Sequence, residues 1–290
     1  MAESPSKDSV TGTETTGHEW DGIRELDTPL PRWWLWTFYV TIVWAIGYWI
    51  LMPAWPTMTG YTKGILGHSE RSRIKADLAE ARDAQRGMLD RIAAASLEEI
   101  RTTPDLLEFA LAGGRSAFAV NCSQCHGSGA AGFKGYPNLN DDDWLWGGRL
   151  SEIEYTITHG ARSVLNEQTR LSEMPRFLVD GILSAAQVDD VAEYVLSLSG
   201  VGRNVDAAAR GQSVFAENCI VCHGPAGKGN RELGAPNLAD GLWLYGGDKK
   251  SIVEAIAVSR RGVMPAWGGL LDQTVIKQLA VYVHSLGGGE

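Results

Sequence analysis

Cysteine is scarce in this chain. Its 290 residues include four, at positions 122, 125, 219 and 222, and all lie in two short motifs, so no thiol is left over for a disulfide framework. Positive charge is also in deficit. The 26 Lys and Arg face 35 Asp and Glu, a net of −9, which argues against nucleic acid as a partner and suits the docking of a basic protein. No nucleophile constellation or metal-ligand cluster stands outside the cysteine motifs. With a mean hydropathy of −0.13 the chain is mostly soluble in character, so any membrane segment is a minor part of it.

What is present starts with Cys122-Ser-Gln-Cys125-His126 and Cys219-Ile-Val-Cys222-His223. Cys-x-x-Cys-His is the signature of c-type haem attachment: two thiols form thioethers to the porphyrin vinyl groups, and the next histidine becomes the proximal iron ligand. Two intervening residues put both sulfurs about one helical turn apart on one face. A zinc ribbon pairs such motifs at about 15–20 residues, far closer than Cys125 and Cys219, and a thioredoxin-like site needs a strand-to-helix context that is missing. The expectation is two covalently bound haems c.

Residues 1–32 read as a loosely structured segment, with seven acids against three bases. Trp33 to Met52 then runs without Asp, Glu, Lys or Arg. Twenty residues at about 1.5 Å each make about 30 Å of helix, enough to cross a hydrocarbon core. Trp33, Trp34 and Trp36 stand at one end and Trp49 and Trp55 near the other, as interfacial belts do. The run starts late and no small-residue cleavage site follows, which argues against a removed signal peptide. Flanking charge alone, Arg24 and Arg32 before against Lys63, Arg71, Arg73 and Lys75 after, points the C-terminal side inward. Haem attachment to Cys-x-x-Cys-His takes place outside the bacterial inner membrane, however, and decides for a single pass with a cytoplasmic N-terminus and periplasmic haem domains.

Ser69 to Arg101 reads as a charged amphipathic helix, with Ile74, Leu78, Ala81, Met88 and Ile92 near a 3.6-residue period. Thr103-Pro104-Asp105 is a helix start, and Gly113-Gly114 is expected to end that short helix. An internal repeat follows. Gly114-x-x-x-Phe118-x-x-x-Cys122 matches Gly211-x-x-x-Phe215-x-x-x-Cys219 at an offset of 97. Pro137-Asn138-Leu139 matches Pro236-Asn237-Leu238, and Trp144-Leu-Trp-Gly-Gly148 matches Trp243-Leu-Tyr-Gly-Gly247, both at 99. Met174-Pro175 matches Met264-Pro265 at 90, and each unit closes with an apolar helix, Val188–Leu198 and Val275–Leu286. The expected organisation is all-α: a segment 1–32, a span 33–55, a charged helix and linker 56–103, and tandem haem domains at 104–200 and 205–290.

Met174 and Met264 are the candidate second axial ligands, 48 and 41 residues after His126 and His223. A thioether raises the haem potential, and a Met before proline at matching repeat positions is hard to credit to packing alone. His159 is the rival for the first haem and lacks a histidine counterpart in the second unit. His284 is read as an ordinary residue of the last helix. Trp144, Trp243 and Tyr245 either offer an N–H or O–H to the haem propionates or pack beside the ring.

Residues 104–290 resemble the cytochrome c superfamily. That similarity implies two class I cytochrome c folds in which Pro137 and Pro236 carbonyls accept the Nδ1–H of His126 and His223, and in which the last helix of each unit crosses its own first helix. The leader HEWDGIRELDTPLPRWWLW, the single span, the charged helix and the tandem haem units together resemble the dihaem subunit of cbb3-type cytochrome c oxidases, the CcoP or FixP family. The resemblance implies a subunit that takes electrons from a donor cytochrome c. It would pass them to the monohaem and catalytic subunits and have no catalytic site of its own. A free-standing dihaem shuttle, a dihaem peroxidase and a haem-based gas sensor are the competing readings. The latter two need an open iron, which two Met-Pro motifs disfavour. Counted by repeat, 104–200 carries thirteen acids and six bases and 201–290 eight and nine. That asymmetry, with Asp141-Asp142-Asp143, makes the first domain the expected docking face for a basic donor.

Overall fold

A computed structural model describes residues 6–290, so the first five positions of the N-terminal segment lie outside the described residues. The chain divides into two compact units, 1–83 and 84–290. In the first, part of the leader expected to be loose is an antiparallel hairpin of β1 (Thr15–Trp20) and β2 (Ile23–Leu26). Its turn is Asp21-Gly22, both at positive φ, the two-residue geometry that matches strand twist. Helix α1 (Arg32–Leu51) follows, with no buried residue, and then a second small ladder, β3 (Pro56–Thr57) with β4 (Gly60–Tyr61). An apolar helix with every side exposed within the protein needs a non-aqueous surround.

The charged stretch forms two helices rather than one, α2 (Glu70–Ala94) and α3 (Leu97–Thr102). The break comes at Ser96, whose hydroxyl caps α3 by accepting from the Glu99 amide. Of the expected apolar stripe, Ile92 is buried while Ile74 and Leu78 are exposed.

The second unit is helical. It comprises α4 (Pro104–Asn121), α5 (Ser123–His126), α6 (Leu150–His159), α7 (Ala185–Leu198), α8 (Val205–Asn218), α9 (Ile220–His223), α10 (Lys249–Val258) and α11 (Gln273–His284). Gly113-Gly114 does not end α4. A Cβ on Gly114 would lie 2.4 Å from the Gln278 carbonyl oxygen, so glycine is there because α11 crosses at backbone contact.

The partnership of helices departs from the repeat. Each repeat's first helix is expected to meet its own last helix, yet α4 packs on α11 and α8 packs on α7. One core joins Phe118, Ile153 and Ile157 to Ile276, Leu279 and Val283. A separate core joins Val188, Val191 and Val195 to Phe215, Ile252 and Ile256. The backbone seals the exchange from both sides. Ala161 and Met264 exchange N–H···O bonds of 3.0 and 2.9 Å, and the Phe177 amide donates to Ile256 at 3.2 Å. The second lobe is therefore one continuous piece, roughly 172–259, set inside a first lobe built from 104–171 and 260–290.

Regrouping by lobe also removes the charge asymmetry. The first lobe carries ten acids and eight bases and the second eleven and seven. Of the three consecutive aspartates only Asp142 is exposed.

Gly211 plays in α8 the part of Gly114 in α4: a Cβ there would stand 2.0 Å from the Asp190 carbonyl oxygen. Gly211→Val forces α7 and α8 apart. Overpacking of this kind costs about 1–3 kcal/mol or more, so thermal unfolding of the second lobe is expected to shift down by at least several degrees.

Candidate haem sites

Both attachment motifs are built alike. Cys122 ends α4 and Cys219 ends α8, each donating its amide to the phenylalanine one turn back. A single helical turn then swings the histidine round: the His126 amide donates to the Cys122 carbonyl at 2.9 Å, and His223 to Cys219 at 2.9 Å. The two sulfurs of each motif thus share one face, with the imidazole beside them.

His126 Nδ1 lies 3.0 Å from the Pro137 carbonyl and His223 Nδ1 lies 3.0 Å from that of Pro236. A carbonyl only accepts, so Nδ1 carries the proton and Nε2 keeps a free lone pair, the tautomer a metal requires. Burial pushes both imidazoles below their ordinary pKa, against the opposing pull of the proline carbonyl. They remain neutral, as an iron ligand must. Burial, with a smaller push from the paired cysteine, raises the thiols of Cys122 and Cys219 to about 11. A thiolate-based zinc or redox site needs the opposite shift, whereas thioether attachment does not.

Cys219, Cys222, His223, Pro236 and Trp243 of the second lobe line a cavity of about 610 Å³ whose wall also holds Met174 and, from the first lobe, Lys134, Pro137 and Trp146. That volume falls within the range of cofactor sites. In the first lobe Cys122, Leu139, Trp144 and Met264 pack around the core of Phe118, Ile153 and Ile157. The repeat spacing pairs Met174 with His126 and Met264 with His223; the structure sets Met174 with His223 and Met264 with the Cys122 motif. The two methionines are exchanged along with their helices.

Trp144 donates its indole N–H to the Gly288 carbonyl, so that donor is engaged by the C-terminal glycines. Trp243 packs on the second core. His159 lies tilted against the Tyr155 ring and faces Asn166, and His284 meets the Glu290 carbonyl. Sequence reasoning placed Trp146 only within the repeated Trp-Leu-Trp-Gly-Gly motif and missed Arg162; both are in the wall of this cavity although they belong to the first repeat. No local signal marks Arg162, because its place in that wall depends on the interleaving.

Three family matches cover most of the chain. Residues 12–59 match the N-terminal domain of cytochrome oxidase-cbb3, FixP. Residues 206–283 match cytochrome c oxidase, cbb3-type, subunit III, and residues 111–199 match cytochrome c. The cbb3-type cytochrome c oxidase subunit FixP of Bradyrhizobium sp. strain ORS 278 is 55% identical over the full length of both chains. The subunit CcoP of Cereibacter sphaeroides is 50% identical, again over all of both. The chain belongs to the FixP/CcoP family.

As a FixP/CcoP subunit it is a membrane-anchored electron-transfer cytochrome of a cbb3-type oxidase, with two covalently bound c-type haems. Its partners are other subunits of that oxidase. Both cytochrome matches follow the sequence repeat, so in this FixP/CcoP chain each matched stretch contains a terminal helix that packs in the other lobe.

Proposed function

We propose that the subunit accepts electrons from a donor cytochrome c and relays them to the monohaem and catalytic subunits, with its N-terminus in the cytoplasm and both lobes in the periplasm. Cys122 and Cys125 would hold the first haem, with His126 and Met264 binding its iron; Cys219 and Cys222 would hold the second, with His223 and Met174. When bound, each haem supplies a one-electron couple, its potential raised by sulfur ligation. The protein's part is to fix the ligands and exclude competitors. The Pro137 and Pro236 carbonyls orient the imidazoles, the two cores would keep water from the haems, and the methionines would leave the irons no site for a competing ligand. The net charge of −9 favours encounter with a basic donor, over a surface that the two lobes share rather than the first alone.

One observation carries this reading: two histidines presented by Cys-x-x-Cys-His turns and held through Nδ1 at 3.0 Å, each lobe having a methionine packed at its site. The reduced subunit is expected to show low-spin c-type bands with no spectral change under carbon monoxide. Uptake by either haem would reveal an open iron, revive the peroxidase reading and sink the closed relay.

A further inference from the structure

The cavity at Cys219 and His223 has four cations in its wall, Lys134, Arg162, Arg260 and Arg261, all from the first lobe, beside the carboxylates of Asp141, Asp143 and Glu173. Three of them have carboxylates to answer to. Arg260 pairs with Glu254 and Arg261 with Glu173, and Lys134 lies in the field of Asp248 and Glu254. Arg162 differs. Its Nε donates to the Gly262 carbonyl at 2.6 Å, and its neighbours are the uncharged Tyr245 phenol and a second cation, Arg261. Among the described residues, no carboxylate pairs with it. A half-buried guanidinium beside another arginine is unfavourable unless an anion completes it.

The backbone holds Arg162 in place for that purpose. Its φ is 54°, in the left-handed region that side-chain-bearing residues seldom adopt and that persists only where surroundings impose it. The surroundings are the seam between repeats. Ala161 exchanges two backbone bonds with Met264, and the Arg162 amide donates to the Arg170 carbonyl at 2.8 Å. With Nε committed to Gly262, the Nη1 and Nη2 edge remains for a planar, two-oxygen anion, the shape guanidinium matches best.

The anionic part of a haem is its pair of propionates, carried on the porphyrin edge away from the thioether-forming vinyls. We propose that Arg162, supplied by the first repeat, binds a propionate of the haem that the second repeat attaches through Cys219 and Cys222. The inference rests on reading the cavity as that haem's site. Arg162 is then a binding residue for one haem, next to Ala161, which is bridged to the other haem's methionine. It neutralises a carboxylate that would otherwise favour the more positive ferric state, and so raises the potential of the second haem alone.

The test uses the full-length subunit in its membrane complex. Arg162→Gln and Arg162→Lys are titrated and fitted as two one-electron couples. Met174→His identifies the couple of the Cys219-attached haem, and haem release chemistry counts the covalent haems. R162Q is expected to lower that couple and leave the other in place, with two covalent haems per chain retained; R162K, keeping the charge, stays closer to the parent. An unchanged couple in R162Q, or equal shifts in both couples, overturns the assignment.

A second measurement needs no variant. With the haem carboxylates 13C-labelled, redox-difference infrared spectra of the unmutated subunit are expected to show a propionate that stays ionised from pH 8 to pH 5. If both second-haem propionates take up protons across that interval, the clamp is absent. If no covalent haem is found on the 219–223 peptide, the site reading itself fails, an outcome distinct from either spectral result.

Discussion

Replacing Met174 with histidine lowers the midpoint potential of the haem attached through Cys219 and Cys222 and leaves the haem on Cys122 and Cys125 unmoved. Met174 stands in the wall of the cavity that holds His223, packed on the second core, and its carbonyl accepts from the Ser259 hydroxyl of the second repeat. A thioether favours ferrous iron and an imidazole tolerates ferric iron better. Axial ligands set haem potentials over about 0.8 V, and a shift on the order of 0.2 V is expected here. The measurement is a redox titration of the two-haem subunit and of a background with Cys122 and Cys125 replaced by serine, where one haem remains. If M174H has no effect there and M264H lowers the remaining couple, the methionines follow the repeat and the interleaved assignment falls.

The second expectation removes a whole helix. Ending the chain after Leu271 deletes α11, which lies at the far end of the second repeat yet completes the first lobe. Ile276, Leu279, Val281 and Val283 are buried there. At about 1.5–3 kcal/mol for each buried aliphatic side chain, the four together contribute about 6–12 kcal/mol. That is comparable to the ~5–15 kcal/mol that holds a domain folded. The Lys277 ammonium is lost as well, and with it three hydrogen bonds to the carbonyls of Ile92, Ala93 and Ala95 at the end of α2. The truncated chain is expected to bind carbon monoxide at the Cys122-attached haem and to be cleaved by protease within 104–171, while 172–259 resists and its haem stays closed. Tandem domains in sequence order demand the reverse, damage confined to the second haem.

Much of this was legible beforehand because the signals are local. Four cysteines with two histidines define the attachment turns, twenty uncharged residues define the span, and the Gly-x-x-x-Phe and Pro-Asn-Leu pairs define the duplication. The exchange of helices was not legible, and the reason is physical. VDDVAEYVLSL and VIKQLAVYVHSL present the same apolar face at the same period, so either can cover either first helix. Hydrophobic patterning states that a helix packs, not which of two equivalent grooves it enters. Gly113-Gly114 misled for a related cause: glycine weakens a helix locally, but here the helix continues because a partner backbone needs the space. The leader hairpin escaped notice because its strands carry few buried side chains and only Asp21-Gly22 marks its turn.

The nesting of one lobe inside the other also imposes a schedule. Synthesis delivers Cys122 well before Cys219, yet the earlier site is the later to close, since 158 positions separate His126 from His284. At about 5–20 residues per second of translation, that is roughly ten to thirty seconds. Through that interval the first lobe lacks α11, the helix that covers α4 and completes its core, whereas every helix of the inner lobe has been delivered before it ends.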